Sequence, residues 1–348
     1  MAEQRTLKIK KMDPEKNYQL VELFPIEKDG YICVGDEGYV FPNRFGPGLE
    51  KIHNMDVRPD DIFVVTFPRS GTTWSQELVW LVANEYDFET AKSTPLTERY
   101  PFLEFSLFQT PESLQKLREE ANTDENKKKL LAEMGTVEDF KNLPSPRFLK
   151  THLPLSILPP ELLDTSKVVY VARDARDVCV SFYHLSRLME KLNGFRGNFE
   201  DFWNTFRKDM QIWTPFFSHL KEAWAKRNHP NLLFIFYEEM IQDLPSVIQR
   251  VSKFLGKETN EEQVIALCEH LKFDQFSKNK AVQLTAMDDN GLLKAGEKFI
   301  RKGKSGGWRE YFDYEMTIQA ERWIAKNLEG TDLRFPEVTA TSEDQIDS

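Results

Sequence analysis

Three apolar, β-branched runs of strand length, at residues 62–67, 167–172 and 231–236, alternate with stretches patterned for helix such as 72–86 and 199–227. Runs without a polar face are buried on both sides, and strands that take turns with helices pair in parallel. An α/β fold follows, with residues 1–348 as a single domain and a central parallel sheet flanked by helices. The chain is 40% hydrophobic and carries seven Trp, enough for one sizeable core. Residues 111–141 depart from the pattern. They are highly charged, with Leu114, Leu117, Leu130, Leu131, Met134 and Val137 at near-helical spacing, and read as an amphipathic helical insertion within 106–146. Residues 337–348 are polar and read as a flexible tail.

Three cysteines, Cys33, Cys179 and Cys268, lie far apart and form no CxxC pair, so neither a disulfide framework nor a cysteine-rich zinc site is expected. Residues 1–16 are charged and lack the apolar segment of a secretory signal. No later apolar run approaches the roughly 20 residues that span a bilayer. The expectation is a soluble cytoplasmic protein without a membrane partner. A net charge of −10 argues against nucleic acid as a partner, so any anionic ligand must be held at a local basic site.

The first such site follows the run 62–67, which leads into Pro68, Arg69, Ser70, Gly71, Thr72, Thr73 and Trp74 before a helical pattern begins. A loop between strand and helix N-terminus offers free backbone N–H groups and the positive end of the dipole to an anion, and Gly71 admits close approach. Arg69 adds charge, the hydroxyls add donors, and Trp74 offers a face to a base. The bland alternative is a Ser/Thr helix cap. A nucleotide kinase would need GxxxxGK(S/T). From Gly291 the spacing reaches Gly296, but Glu297 stands where lysine is required; ahead of Gly303, Lys304 and Ser305 the needed glycine is Lys298. An ordinary P-loop NTPase is disfavoured.

Residues 147–154 read RFLKTHLP, a short strand ending in Lys150, Thr151 and His152. Among six histidines His152 is the candidate base, because imidazole titrates near neutrality, and Lys150 can neutralise charge on a transferring group. A structural histidine is the alternative. After 167–172 a second basic turn brings Arg173, with Ser181 farther into the following helix; both are suited to a second phosphate, whereas Arg176 and Asp177 read as surface charge. Residues 299–308, FIRKGKSGGW, interleave Arg301, Lys302 and Lys304 with three glycines, a cationic loop that can close over an anion.

Taken in this order, these segments closely resemble the cytosolic sulfotransferase family from about Asp60 to Trp323. The resemblance implies a P-loop-kinase-like sulfotransferase fold. It also implies transfer of a sulfuryl group from 3′-phosphoadenosine 5′-phosphosulfate (PAPS) to the hydroxyl of a small lipophilic acceptor, leaving adenosine 3′,5′-bisphosphate (PAP) without a metal. TFPRSGTTW resembles the 5′-phosphosulfate loop, which assigns Ser70, Gly71, Thr72 and Thr73 to the phosphosulfate and Trp74 to the adenine. YVARDARDVCVSFYH resembles the 3′-phosphate motif, with Arg173 and Ser181 joined there by Arg301, Lys302 and Gly303. Tyr237 matches an adenine-side tyrosine, and Phe273 is grouped with the nucleotide-binding residues. By the same matching His152 is the base, Lys150 and Arg69 share its catalytic cluster, and Phe102, Phe105, Phe182 and Leu185 wall the acceptor pocket.

The pattern is not followed throughout. Arg69 stands where lysine is usual, which preserves charge stabilisation but not proton donation. Gly307 and Leu271 replace an Asp and a nucleotide-binding Thr and are left out of the site. No dimerisation motif follows Trp308, so monomer and homodimer both stay open. The insertion resembles that of the insect branch that includes retinol dehydratase, where it forms a helical lid; a lid is expected here, with an inert surface excursion as the alternative. In that branch, loss of sulfate from an allylic ester gives an alkene. A noncatalytic carrier of nucleotide or lipophile is the remaining alternative.

Overall fold

The computed structural model describes residues 5–338. Strands β1 (Ile9–Lys11), β2 (Tyr31–Val34) and β3 (Tyr39–Pro42) form a small antiparallel sheet that the sequence reading did not anticipate. Strands β4 (Ile62–Thr66), β5 (Phe148–Thr151), β6 (Lys167–Ala172) and β7 (Leu232–Phe236) form the expected parallel sheet, in the order β5-β4-β6-β7. The chain leaves β4 for one edge and returns to its other side at β6. The loops after these strands therefore diverge around a crevice at their C-terminal ends, the usual ligand position in such sheets.

Side-chain alternation divides the core. Phe63, Val65, Val168, Tyr170 and Phe234 face one side, where Tyr170 and Phe234 meet His219 and Trp224 of the helix Phe216–Ala225. Ile62, Val64, Val169, Val171 and Ile235 face helices that bring Leu78, Val79, Val247 and Val251. Both faces are covered, which is why these strands read as continuous apolar runs. Arg147 and Asp61, both almost inaccessible, join the starts of β5 and β4 with Nε donating to Oδ1 at 2.7 Å.

Two helical readings need correction. The pattern 72–86 ends as helix at Ala83. The pattern 199–227 is two helices, Phe199–Phe206 and Phe216–Ala225. Pro215 has no N–H to give a preceding turn, and Asp209 and Trp213 adopt left-handed backbone conformations with φ of 55° and 68°. The linking stretch instead pairs with β3: Val40 N–H donates to the Thr214 carbonyl and Trp213 N–H to the Val40 carbonyl, each at 2.9 Å. The insertion comprises helices Pro111–Glu120, Glu125–Glu133 and Val137–Phe140, capped by Thr110, Asp124 and Thr136. Its Leu117, Leu130 and Met134 are buried against Ala286 and Met287. Of the expected tail, residues from 339 onward lie outside the described residues; the Glu337 carbonyl accepts from Gln242 Nε2 at 2.6 Å.

Candidate active site

The loop after β4 turns through Arg69 (φ 69°) and Gly71 (φ 92°). A Cβ on Gly71 would lie 2.5 Å from the Tyr237 ring, so the loop can close on Tyr237 only with glycine there. Gly71 is the N-cap of the helix Thr72–Ala83, and no side chain caps it. The helix-cap reading of this motif is therefore incorrect, and the first-turn N–H groups are left for another partner. Ser70 Oγ and Arg173 Nε are both buried without a hydrogen-bond partner among the described residues. Two such donors beside a helix N-terminus fit an anionic nucleotide.

Arg69 Nε donates to Ser181 Oγ at 3.0 Å and its Nη2 to the Phe299 carbonyl at 2.8 Å, linking this loop to the helix Ala175–Leu188 and to the loop 299–308. Burial, then the charges of Arg173 and Arg301, push its pKa down to about 10, so it remains cationic at neutral pH. Arg173 donates to the Arg69 and Lys304 carbonyls at 3.1 and 2.8 Å and lies 4.2 Å above the Tyr237 ring. The Trp74 indole donates to the Leu271 carbonyl at 3.0 Å and meets Tyr237 edge-on. Leu271 and Gly307, set aside in the sequence reading, line the same cavity as these residues.

Loop 299–308 is held by Asp177. This residue is buried, and its carboxylate accepts from Gly306 N–H at 2.6 Å, Ser305 Oγ at 3.1 Å and Trp308 N–H at 3.1 Å. It is not surface charge, and Arg176 is less exposed than expected, paired with Asp174 over the Trp308 ring. Gly303 (φ 63°) packs where a Cβ would overlap the Phe273 ring. Arg301 lies 6.0 Å from the Tyr311 ring, and the Lys302 ammonium pairs with Glu310.

Beyond the end of β5, His152 Nδ1 lies 2.9 Å from the Thr66 carbonyl, an acceptor only, so this nitrogen carries the proton. Nε2 then holds the free lone pair. Burial, and next the charge of Lys150, keep the pKa of His152 well below 6.5. Glu104 fixes the backbone here, accepting from His152 N–H at 2.8 Å and Thr151 Oγ1 at 2.7 Å, while His219 Nε2 donates to the His152 carbonyl at 3.0 Å. The imidazole is flanked by Phe102 and Trp213, with ring centroids 5.2 and 5.5 Å away. Lys150 Nζ rests 4.2 Å over the Phe102 ring, and burial brings its pKa down to about 8.

One cavity of about 550 Å³ joins these groups. Arg69, Thr72, Thr73, Trp74, Arg173, Ser181, Tyr237, Phe273, Arg301, Lys302 and Gly303 line it, as do Lys150, His152, Phe102, Phe105, Phe182 and Leu185. Of the sequence-expected site residues only Ser70 is set behind the wall. Further apolar groups in the wall include Phe24, Phe108, Trp213 and Met287, interspersed with polar ones such as Glu27, Gln109, Glu133 and Gln211.

The chain matches the sulfotransferase domain family over residues 59–332. It belongs to that family. As a sulfotransferase it is a transferase that uses PAPS as donor. It is 31% identical to luciferin sulfotransferase of Photinus pyralis over 86% of this chain and 80% of that one. Two solved structures of retinol dehydratase, one with androsterone and inactive cofactor PAP and one with retinol and PAP, are each 43% identical, with TM-score 0.87, covering 95% of this sulfotransferase and 99% of the other chain. No helix among the described residues of the sulfotransferase is long and apolar enough to cross a membrane.

Sequence reasoning missed three residues of the sulfotransferase site. Glu104 reaches His152 across 48 positions. Its only local signal is a carboxylate between apolar Leu103 and Phe105. Asp177 was visible as a charge but not as an anchor, because its partners, two backbone N–H groups and the Ser305 hydroxyl, lie about 130 residues away. Trp213 was hidden inside an apparently continuous helical pattern, with Pro215 as the available warning.

Proposed function

We propose that this sulfotransferase transfers the PAPS sulfuryl group to the hydroxyl of a small lipophilic acceptor, with His152 as base. The observation that carries the reading is the free Nε2 of a neutral, buried His152, in a cavity lined by Arg69, Arg173 and Arg301 together with apolar side chains such as Phe102, Phe182, Leu185 and Met287. The acceptor proton passes to Nε2 as its oxygen bonds to sulfur. The bond from sulfur to the phosphate oxygen breaks, and its electron pair leaves with PAP. Lys150 and Arg69 stabilise charge on the sulfuryl and leaving groups. Ser70, Gly71, Thr72 and Thr73 hold the phosphosulfate, while Trp74, Tyr237 and Phe273 hold the adenine. Arg173, Ser181, Arg301, Lys302 and Gly303 serve the 3′-phosphate, for which Lys302 gives up Glu310. Residues 106–146 form a lid within a single domain, bringing Phe108, Gln109 and Glu133 to the cavity wall. The site is that of a cytoplasmic enzyme acting on a phenol, a steroid-like alcohol or a retinoid.

The test is turnover of labelled PAPS against phenols, steroids and retinol, with products identified by mass. A sulfate ester is the expected product. PAP binding without turnover on any acceptor would favour a carrier, and no PAP binding would overturn the reading. The 43% identity to retinol dehydratase supports a second reading. With an allylic alcohol the ester expels sulfate with its bonding pair, and a neighbouring carbon loses a proton, giving an alkene of distinct mass.

A further inference from the structure

Glu133 ends the insertion helix Glu125–Glu133 and is 6% exposed. Leu130 and Met134 seat this stretch on Ala286 and Met287 while the Glu133 carboxyl turns inward. Its Oε1 accepts from Thr97 Oγ1 at 2.9 Å, but Oε2 is buried with no hydrogen-bond partner among the described residues. A solvated surface glutamate would not bear that desolvation cost. The side chain lines the same cavity as Thr73, Lys150 and His152. Thr97, the partner of Oε1, shares a small side cavity with Lys150 and Phe102, and the Lys150 ammonium faces the Phe102 ring. Glu104 from the sheet side and Glu133 from the insertion favour the charged form of Lys150, whereas burial and the neighbouring charge of Arg69 disfavour it.

We propose that Glu133 is a positioning residue for sulfuryl transfer: the seated insertion supplies the second carboxylate that holds the Lys150 ammonium in its charged form. The proposal rests on the role given to Lys150 above. It makes the insertion part of the electrostatics of the transfer centre as well as a cover for the acceptor. Elements packed on this helix offer few rivals to Lys150. On the helix Leu96–Arg99, Glu98 repels Glu133, while Arg99 is turned to Glu77 at 2.7 Å. Asp288 and Asp289 on the helix Thr285–Asp289 are exposed. Glu120 on the preceding helix is paired with Lys116 and Lys127. Burial first, then Glu98, lifts the pKa of Glu133 to about 7. With Lys150 near 8, both groups are charged together only in the neutral to mildly alkaline range.

The experiment compares the wild type with Glu133→Gln, which keeps the size and the Thr97 contact but not the charge. Two pH profiles are measured: kcat/KM for sulfuryl transfer, and acetylation of Lys150 by acetic anhydride, read by peptide mass. In the variant both the alkaline fall in kcat/KM and the acetylation midpoint should move about half a pH unit to the acid side. PAP affinity should stay within about twofold, since Glu133 is not a nucleotide contact. An unmoved acetylation midpoint overturns the proposal, as does a tenfold loss of PAP affinity. A wild type with no turnover but a midpoint that shifts in the variant counts against the transferase reading and leaves the Glu133–Lys150 coupling supported.

Discussion

In the proposed mechanism His152 serves the acceptor and Arg173 the donor nucleotide, and their substitutions should separate accordingly. His152→Ala should nearly abolish transfer while PAP affinity changes little, because Nε2 faces the acceptor side. Arg173→Ala should weaken PAP by about 1.5 to 3 kcal/mol, roughly 10- to 150-fold, through loss of a charge-assisted contact. Isothermal titration with PAP alongside steady-state rates checks both; equal loss of PAP binding would undo the assignment. The pH dependence follows from burial. A base whose protonated form is disfavoured stays neutral as pH falls, so the acid limb of kcat/KM belonging to His152 should lie below pH 6.5. At this scale the sequence was legible in placement where a side chain stands beside its own strand end, as with Arg69, His152 and Arg173, all of which line the cavity. It was silent where a role depends on a distant backbone partner, as with Glu104 and Asp177.

The insertion is the element whose contribution is most separable. Replacing residues 111–141 by a short linker should leave PAP binding intact, because the loop after β4 and the loop 299–308 are built without it. Discrimination between large and small acceptors should fall, and kcat/KM ratios for retinol against a simple phenol would show it. Unchanged ratios would reduce the insertion to a surface excursion. The parallel strands could be read because burial on both faces leaves an uninterrupted apolar signature, and β6 matches its expected bounds. The break within 199–227 could not, because apolar residues continue at helical spacing through a segment whose φ values are not helical. The strands β1 to β3 are three or four residues long, too short for a periodicity to register.

Across the whole molecule, the Asp61–Arg147 pair locks the edge strand to its neighbour in a site that water does not reach. Removing one partner strands the other charge, so Arg147→Ala should cost about 3 to 5 kcal/mol by urea unfolding. A loss under about 1 kcal/mol would mean that the site admits water. A different kind of consequence comes from the pairing of Val40 with the segment before Pro215. The same two backbone bonds that continue the small sheet also set Trp213 against the imidazole of His152, and Tyr31 and Pro42 from that sheet line the cavity. The small antiparallel sheet thus contributes to the wall of the same cavity that Arg69, Arg173 and Arg301 line. Substitutions within residues 31–42 should therefore reshape the cavity without touching the loops that follow β4 and β6.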